Sequence, residues 1–543
     1  MLVETQSLAA AANQWLAKFE RALAAPDAAA LPGLFHPDSH WRDVLALTWR
    51  IGTVSGAQAI AAGLARHAGR ARPSGFRIDP DRTAPREVTR AGMKCFEAIF
   101  RFETKEGRAN GVLRFFLHEN QPRAWTLLTA LDKLTQDAAP KAAGEDPTVL
   151  IVGGGHAGLS IAARLARRGI DALIVDRWPR VGDNWRRRYH ALRLHNQVYV
   201  NHLPYLHYPQ DFPVYIPKDQ LADWFESYAK SLDLKYWTGT EFRGGTYDAK
   251  EKRWSVTVER DGKSRELQPR HVVLATGVSG IPSIPDIAAL KSFSGKIIHS
   301  SQYEDGGPWK GRRAVVVGTG TSGHDIAQDL HSAGAQVTLV QRSPTLVINV
   351  EPSAQLVYSI YHEGPPLEDC DLITVSIPLE ISKKSHRLAS DHAKRLDRDL
   401  LDKLERKGFR LDYGEDNTGW QFKYLTRGGG YYFNVGCSDL IVEGKIGLAQ
   451  FADLEKLLPG TDLVVLATGY KGQEALVGKL FGDAVAQRVG PVWNFGEHQE
   501  LRNMFQRTPQ PGLWFIAGSF AQCRIYSKYL ALQIQATEAG LLP

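Results

Sequence analysis

The sequence predicts an α/β protein in which two parallel-sheet units of the same kind follow a smaller α+β unit. An apolar strand, a Gly-x-Gly-x-x-Gly turn and a helical segment occur in this order at 149–169 and again at 315–333. Two further apolar strands that end in Ala-Thr-Gly lie at 271–277 and 462–469. Strands that alternate with helices are typical of parallel sheets. The first 135 residues place helices before strands instead, which is typical of an α+β domain.

Composition and charge narrow the classes of function. Hydrophobic residues make up 43% of the 543 residues, which is enough to build several cores. The net charge of +7 is small for this length and the cationic residues are dispersed, so nucleic acid is not an expected partner. No apolar stretch reaches the length of a membrane span. The four cysteines have neither a CxxC nor a metal-ligand spacing, which predicts a reduced, cytoplasmic protein without a metal site.

Residues 1–135 are predicted to form the α+β domain. Apolar residues at helical spacing predict a first helix from Ser7 to Leu23, and a second, short helix is expected from Asp27 to Phe35. The polar residues 136–147, which contain Ala and Pro, predict a linker. Alternating segments predict three strands of a bent antiparallel sheet, at Lys94–Glu103, Arg108–His118 and Arg123–Leu131.

The first glycine turn has the features of a dinucleotide-binding unit. Gly153 turns the chain, Gly155 lets backbone approach a pyrophosphate, and Gly158 lets the helix pack against the strand. The helix start offers free N–H groups to that anion. Asp176 follows the second strand at the position where a carboxylate accepts hydrogen bonds from an adenosine ribose.

The second glycine turn, at 318–323, repeats the spacing but is followed by different residues. Where the first unit has Asp176, the second has Gln341, followed by Arg342 and Ser343. An aspartate would repel a 2′-phosphate, whereas a neutral side chain beside an arginine can accept one through charge-assisted hydrogen bonds. We therefore expect FAD at the first turn and NADPH at the second.

The loop at 181–197 holds Trp185 and the basic run Arg186–Arg188. An aromatic face beside hydrogen-bond donors suits a flat ring system that bears a phosphate tail. The alternative is an aromatic side chain packed on a basic surface loop. Near the end of the chain a strand from Leu513 to Ala517 precedes a helical segment, whose first turn could face the same ring system beside Gly518.

Between the two units stands Phe293-x-Gly295-x-x-x-His299-x-x-x-Tyr303. This string matches the fingerprint FxGxxxHxxx(Y/F), and with the two glycine turns it makes residues 148–543 resemble the flavin-containing monooxygenases, a class B flavoprotein monooxygenase family, and in particular its YUCCA-like and bacterial members. The resemblance implies that His299 links two domains. This expectation rests on the family comparison and not on proton-transfer geometry. Residues 15–49 resemble the SnoaL-like (nuclear transport factor 2-like) superfamily, whose α+β cone encloses a pocket and often dimerises.

The resemblance implies a domain order and a reaction. Residues 148–307 and 426–543 are expected to form an FAD-binding domain and residues 308–425 an NADPH-binding domain, both Rossmann-like. The implied enzyme inserts one oxygen atom from O2 into a small organic substrate through a C4a-hydroperoxyflavin, by N- or S-oxygenation or by YUCCA-like oxidative decarboxylation. The alternatives are a Baeyer–Villiger monooxygenase, whose fingerprint ends in Trp where this chain has Tyr303, an NADPH oxidase or flavin reductase that releases hydrogen peroxide, and a non-catalytic sensor. A homodimer through the N-terminal domain is also consistent with the resemblance.

The predicted site residues fall into three groups. Thr321, which stands where many relatives have Asn, and Asn201 are the candidate catalytic residues. The predicted FAD-binding residues are Gly153, Gly155, His156, Ala157, Gly158, Asp176, Gly182, Trp185, His195, Asn196, Gly277 and Gly518. The predicted NADPH-binding residues are Gly318, Gly320, Thr321, Ser322, Gly323, Arg342 and Ser343.

Overall fold

The computed structural model describes residues 2–24, 30–119, 121–135, 146–278 and 280–542, with side chains from residue 8 onwards. Most of the predicted linker, and Asp27 at the start of the predicted second helix, therefore lie outside the described residues. None of the helices in the described part of the chain is both long and apolar enough to cross a membrane.

Residues up to 135 form an α+β domain with one bent sheet. The strand order is β2-β1-β7-β6-β5-β3, and β4 pairs with β5 at the edge. The predicted first helix and the three predicted strands are present as α1, β5, β6 and β7, whereas β1 to β4 and α2 were not predicted. The elements are α1 (Leu2–Ala24), β1 (Phe35–Val44), β2 (Ile51–Ser55), α2 (Ala57–Ala71), β3 (Ser74–Ile78), β4 (Arg86–Arg90), β5 (Met93–Glu103), β6 (Gly107–His118) and β7 (Gln121–Leu134), with a 3₁₀ turn at Pro32–Leu34.

The first parallel sheet follows. All five strands run parallel in the order β10-β9-β8-β14-β24. A three-stranded antiparallel sheet, β11-β12-β13, is inserted in the chain between β10 and β14. Its elements are β8 (Val149–Val152), α3 (His156–Ala166), β9 (Ala172–Val175), α4 (Asp183–Arg186), α5 (Lys218–Ser231), β10 (Tyr236–Trp237), β11 (Thr240–Asp248), β12 (Arg253–Arg260), β13 (Lys263–Leu267), β14 (His271–Leu274), β24 (Leu513–Phe515) and α15 (Phe520–Glu538).

The second parallel sheet has the order β16-β22-β17-β18-β21. The predicted domain limits do not coincide with this sheet, because β16 precedes residue 308 and both β21 and β22 follow residue 425. Motif order along a sequence does not reveal which sheet a short strand joins. The elements are β16 (Lys296–His299), β17 (Arg313–Val317), α6 (Thr321–Ser332), β18 (Gln336–Gln341), β21 (Gly447–Gln450) and β22 (Leu463–Leu466).

A helical insert and two crossing segments complete the chain. The crossing segments β15 and β23, one after each Ala-Thr-Gly strand, pair antiparallel with each other. They are β15 (Ile281–Pro282) and β23 (Tyr470–Lys471). The insert and the remaining helices are β19 (Leu346–Asn349), α7 (Leu367–Val375), α8 (Leu379–Leu396), α9 (Arg398–Arg406), α10 (Gly419–Arg427), β20 (Tyr431–Asn434), α11 (Cys437–Val442), α12 (Leu454–Leu457), α13 (Gln473–Phe481) and α14 (Asp483–Val489).

The N-terminal domain packs firmly on the rest of the chain. Its hydrophobic core includes Ile373 of α7 together with Ile525 and Leu532 of α15. Ion pairs cross the same boundary, among them Arg42 with Glu500, Arg82 with Asp369, and Lys528 with Asp132. The domain is therefore part of one continuous apolar core with the C-terminal helix.

Candidate functional site

The first glycine turn has the contacts that its spacing predicts. Gly153 has a φ of +105°, and a Cβ there would lie 2.7 Å from the Ala275 carbonyl oxygen. A Cβ on Gly158 would lie 2.0 Å from the Gly153 carbonyl oxygen, so no larger residue lets α3 approach β8. For a Cβ on Gly155 the nearest atom would be the amide nitrogen of Asn184, at 2.9 Å.

The second glycine turn repeats these contacts. Gly318 has a φ of +117° and its Cβ would lie 2.3 Å from the Ala467 carbonyl oxygen. A Cβ on Gly323 would lie 1.9 Å from the Gly318 carbonyl oxygen. At Gly320 the nearest atom to a Cβ would be the Tyr431 carbonyl oxygen, 3.9 Å away, which leaves open space in front of the turn.

The helices that follow the two turns begin without a side-chain cap. Gly155 is the N-cap of α3 and Gly320 that of α6, and neither helix start receives a side-chain hydrogen bond. By contrast, α15 is closed by a capping box between Ser519 and Gln522. An uncapped start leaves backbone N–H groups and the positive end of the helix dipole available to an anion. Ala157 lies in the first of these starts and Ser322 in the second.

A cavity of about 830 Å³ lies in front of the second turn and reaches Trp185 on the side of the first domain. Its wall includes Gly318, Gly320, Thr321 and Ser322. Among the described wall residues the cations outnumber the acids by five to one, and these residues are Arg188, Arg193, Arg342, Arg427, Lys471 and Glu474. Such a wall favours a ligand that carries phosphate groups.

Asp176 at the end of β9 holds the first turn. Its carboxylate accepts hydrogen bonds from the backbone N–H of Gly154 at 2.7 Å and of Trp178 at 3.0 Å. Burial raises the pKa of Asp176, and these N–H groups oppose that rise. Each carboxylate oxygen can accept a further hydrogen bond, so the residue can still serve a ribose hydroxyl.

Gln341, at the equivalent position of the second unit, does not face a ligand. Its side chain is fully buried and clasps the backbone of Arg410: its amide nitrogen donates to the Arg410 carbonyl at 3.0 Å and its oxygen accepts from the Arg410 N–H at 2.8 Å. This corrects the expectation that its neutral side chain meets the 2′-phosphate directly. The Gln341 side chain instead holds the backbone of a second arginine, Arg410. The guanidinium of Arg410 donates a hydrogen bond to the Arg342 carbonyl at 2.6 Å. Arg342 and Ser343 themselves are exposed on the cavity wall.

Sequence reasoning missed Arg410. It follows α9 in a segment without a clear period. Neither its hydrogen bond to the Arg342 carbonyl nor its backbone contact with Gln341 has a signal in the sequence. Asn184 was missed as well, although it adjoins Trp185 in sequence, because only the fold turns its amide toward Gly155.

The aromatic cluster beside the first turn joins α3 to α15. The His156 ring stacks on Phe520 with centroids 4.2 Å apart, and its Nε2 lies 2.8 Å from the Gly518 carbonyl oxygen. Burial lowers the pKa of His156 to about 4, so the ring is neutral at physiological pH. The ring contacts Phe520 and the Gly518 carbonyl, and it holds Gly518 next to the start of α3. Trp185 completes the cluster, with its indole Nε1 buried and without a partner.

The basic run after Trp185 is less available for ligand binding than its sequence predicts. Arg186 binds Asp183, Asp223 and Glu226, so its guanidinium is committed to carboxylates. Arg188 stays on the cavity wall. Gly182 is required by packing, because a Cβ there would lie 2.4 Å from the Ala222 carbonyl oxygen.

The candidate catalytic residues have backbone partners. The Thr321 hydroxyl donates to the Tyr431 carbonyl oxygen at 3.0 Å. Asn201 is buried and its amide nitrogen donates to the Asn196 carbonyl oxygen at 2.9 Å, while its own oxygen lacks a partner. His195 lines the cavity, and burial lowers its pKa.

The fingerprint residues tie the second sheet to the crossing segments. His299 Nε2 lies 3.1 Å from the Gly469 carbonyl oxygen, which also accepts from Ser283 N–H at 2.9 Å. Tyr303 donates to Asp329 of α6 at 2.5 Å. A Cβ on Gly295 would lie 2.4 Å from the Phe293 ring, so these two residues pack on each other. On the neighbouring strand end, the Gly277 carbonyl accepts from Gln473 at 3.1 Å.

Two parallel sheets each carry a glycine turn followed by an uncapped helix start, and the second turn is open to a cationic cleft. These features define a protein with two dinucleotide-binding folds. Residues 146–359 match the family described as FMO-like, flavin-binding monooxygenase-like. This match confirms, over those residues, the resemblance to flavin-containing monooxygenases that was stated from the sequence. The family match leaves out the N-terminal domain, so its resemblance to the SnoaL-like superfamily stays a prediction.

Curated relatives and solved structures agree with this family match. The rice (Oryza sativa subsp. japonica) indole-3-pyruvate monooxygenase YUCCA1 is 34% identical over 203 residues, 37% of this chain and 49% of the relative. The probable indole-3-pyruvate monooxygenase YUCCA1 of Arabidopsis thaliana is 29% identical over 379 residues, 67% of this chain and 81% of the relative. The chain thus spans about half the length of the rice relative that it matches.

Two solved structures share the fold. OTEMO in complex with FAD and NADP has a TM-score of 0.54 at 14% identity and covers 73% of this chain and 86% of its own. Cyclohexanone monooxygenase from Rhodococcus sp. Phi1 bound to NADP+ has a TM-score of 0.50 at 16% identity and covers 73% and 85%. These likenesses confirm the predicted α/β fold with two Rossmann-like domains.

Proposed function

We propose that this chain is an NADPH-dependent flavin monooxygenase that binds FAD at the first glycine turn and NADPH at the second. The observation that carries the proposal is the pair of matching glycine turns with uncapped helix starts, the second of them open to a cleft of net positive charge. The family assignment supports it, as do relatives named monooxygenases and a fold neighbour solved with both FAD and NADP.

The first turn is the proposed FAD site. The backbone N–H groups at the start of α3 bind the pyrophosphate, and the side chain of Asn184 lies against Gly155 where that group would approach. Asp176 accepts the ribose hydroxyl hydrogen bonds with its remaining lone pairs. Trp185 offers an unpaired N–H and an aromatic face beside α15.

The second turn is the proposed NADPH site. The N–H groups at the start of α6 bind the pyrophosphate, and Gly320 leaves room for it. Arg342 and Ser343 lie on the wall where the adenosine end would sit, and Arg410 stands next to Arg342. Arg342, with Arg410 hydrogen-bonded to its carbonyl, favours the 2′-phosphate of NADPH over the free hydroxyl of NADH.

When both groups are bound, they supply the hydride transfer and the activation of O2. The two electrons of NADPH and two protons reduce one oxygen atom to water, and the other atom is transferred to a nitrogen or sulfur of the substrate. The chain's own task is to hold the two rings together and to exclude water. Tyr431, Phe433 and Trp493 supply an aromatic wall for that purpose.

A second candidate function is an NADPH oxidase that releases hydrogen peroxide. One observation favours it: the Thr321 hydroxyl already donates its hydrogen to the Tyr431 carbonyl oxygen, so that hydrogen is not free to stabilise a reduced oxygen species. A relative with Asn at this position has two amide hydrogens to donate instead.

The test is a coupled assay on the FAD-loaded protein. NADPH consumption, oxygenated product and hydrogen peroxide are measured together for a thioether, a tertiary amine, a 2-oxo acid and a ketone. We expect product to match NADPH for a thioether or amine. Peroxide equal to NADPH with every substrate would support the oxidase, product from the oxo acid or ketone alone would support decarboxylation or Baeyer–Villiger chemistry, and a protein that stays colourless with added FAD would reject the proposal.

A further inference from the structure

A second cavity, of about 220 Å³, lies where the N-terminal domain, the helical insert and α15 meet. The N-terminal domain contributes Arg42 of β1 and Ile51 of β2. The first turn of α15 contributes Ala521 and Gln522. Three separate parts of the chain therefore close around one space. A cavity of about 150 Å³ is large enough for benzene, so this one can hold a substituted ring.

The cavity adjoins the proposed flavin site. Gln522 belongs to the capping box of α15, and its side-chain oxygen lies 2.5 Å from the position a Cβ on Gly518 would take. Gly518 in turn is held by His156, the residue after Gly155. On the other side, α10 separates the two cavities: Gln421, Phe422 and Leu425 line the small one, and its end at Thr426 and Arg427 lines the large one.

The wall of the small cavity is electrically neutral. Arg42 and Glu500 are the charged residues among its described lining, and they form a two-pronged ion pair at 2.8 and 2.6 Å. Arg42 also donates to the Tyr526 hydroxyl at 3.1 Å, so its guanidinium is fully committed. The large cleft has an excess of four cations by contrast. An ionised ligand would find no free counter-charge in the small cavity.

In His386, a residue of the wall, a neighbouring carbonyl fixes which ring nitrogen carries the hydrogen. His386 Nδ1 lies 2.8 Å from the Ser382 carbonyl oxygen, which can only accept, so Nδ1 carries the hydrogen. Burial keeps the ring neutral because it lowers the pKa. Nε2 then carries a lone pair and can accept a hydrogen bond. The Phe422 ring stands edge-on to this imidazole at 5.2 Å.

We propose that this small cavity is the binding site of the oxygenation substrate, and that the substrate is a neutral aromatic or apolar molecule with an N–H or O–H group that donates to His386 Nε2. The inference rests on the proposed monooxygenase function. It gives the N-terminal domain a role, because Ile51 and the Arg42–Glu500 pair form one wall of the site. It also disfavours carboxylate substrates, although relatives are named for an oxo acid.

A matched series of thioethers tests the substrate class. The probes are 4-(methylthio)phenol, which has a donor, 4-(methylthio)anisole, which lacks it, and 4-(methylthio)benzoate, which is charged. We expect the phenol to have a KM about threefold to tenfold below that of the anisole, and the benzoate to give no saturable sulfoxide formation. In His386→Phe the phenol and the anisole should become equal. Preference for the benzoate, or an unchanged phenol preference in His386→Phe, would overturn the proposal.

A cavity-filling substitution tests the location. Ile51→Trp should lower kcat/KM for the phenol at least about tenfold, since the indole ring occupies the space. The FAD content and the rate of flavin reduction by NADPH should stay at wild-type values, because Ile51 lies outside the large cleft. Ile51→Val is the matched control, and a melting curve for each variant checks the fold.

The outcomes separate the two proposals. Wild-type protein that binds no FAD or is not reduced by NADPH contradicts the proposed function. Normal flavin reduction together with unchanged sulfoxide formation in a folded Ile51→Trp contradicts only the location of the substrate. If Ile51→Trp does not fold, Leu425→Trp from the α10 wall provides the same test with the same expected loss.

Discussion

The two glycine turns match contact for contact, whereas the strand ends beside them differ. In each turn the first glycine lies against the carbonyl of an Ala-Thr-Gly strand and the third lies against the carbonyl of the first. Beyond the second strand, Asp176 clamps its own turn, while Gln341 is buried and clamps Arg410. In the proposed function, the shared part binds a pyrophosphate in each unit and the differing part selects the nucleotide. A repeated fold can thus serve two cofactors by changing one residue and what that residue holds.

The largest expected effects are in the shared part. Gly158→Ala and Gly323→Ala should each destabilise the protein by more than about 3 kcal/mol, because the new Cβ would lie 2.0 or 1.9 Å from a backbone oxygen. Thermal unfolding followed by circular dichroism measures the loss. Gly69→Ala, where nothing lies within 4 Å, is the control. A wild-type melting temperature in either motif variant would show that the turns do not pack as described.

The middle glycines should separate the two sites. Gly155→Ala is expected to lose bound flavin, since the methyl group would press on Asn184 and narrow the pyrophosphate's approach. Gly320→Ala should keep its fold and its flavin but bind NADP+ at least about tenfold more weakly. Flavin absorbance per chain and calorimetric titration with NADP+ report the two losses. Loss of both ligands in both variants would mean that the two turns form one site.

The strand-end difference predicts a smaller and more selective effect. Arg342→Ala should raise KM for NADPH roughly tenfold to a hundredfold and leave NADH nearly unchanged, because only NADPH offers a phosphate to the guanidinium. Initial rates of flavin reduction with each nucleotide measure it. An equal loss with both nucleotides would reject the role of this residue.

The smallest effect is expected at the residue that the sequence did not reveal. Arg410→Ala should raise KM for NADPH about threefold to tenfold, again without effect on NADH. The buried Gln341 clasp binds the Arg410 backbone and not its side chain, so the variant should keep its melting temperature. Arg410→Lys keeps the charge and should recover part of the preference. An Arg410→Ala variant that prefers NADPH as strongly as wild type would leave Arg342 as the sole determinant.

Periodic patterns allowed most of the fold to be predicted. The parallel strands around each glycine turn are continuous apolar runs, and the sheet strands β5 to β7 alternate, so their types are readable from sequence. β1 was not predicted because its residues Phe35–Val44 contain three acidic or basic side chains and two histidines, of which His40, Arg42 and Asp43 become buried in contacts with other parts of the chain. Arg42 is one of them, and its partner Glu500 lies 458 residues away.

The candidate site was predictable where a backbone shape dictates the residue. Glycines at fixed spacing follow from local geometry, and the structure shows the close backbone contacts that their spacing predicts. Their role in binding a cofactor, and that of Asp176, stays a prediction. The partners of Gln341 and Arg186 were not foreseen, because the Gln341 side chain binds the Arg410 backbone and Arg186 pairs with three acids. The role of Thr321 stays a prediction, and its hydroxyl donates to the Tyr431 carbonyl. Long-range pairing of this kind has no signal in a single sequence.

The most direct test of the central claim is a calorimetric titration of the FAD-loaded protein with NADP+. The account predicts one NADP+ bound per chain with the full complement of FAD retained, and no measurable binding of NAD+ at the same concentration. Displacement of FAD by NADP+, or a total of one nucleotide per chain, would contradict it.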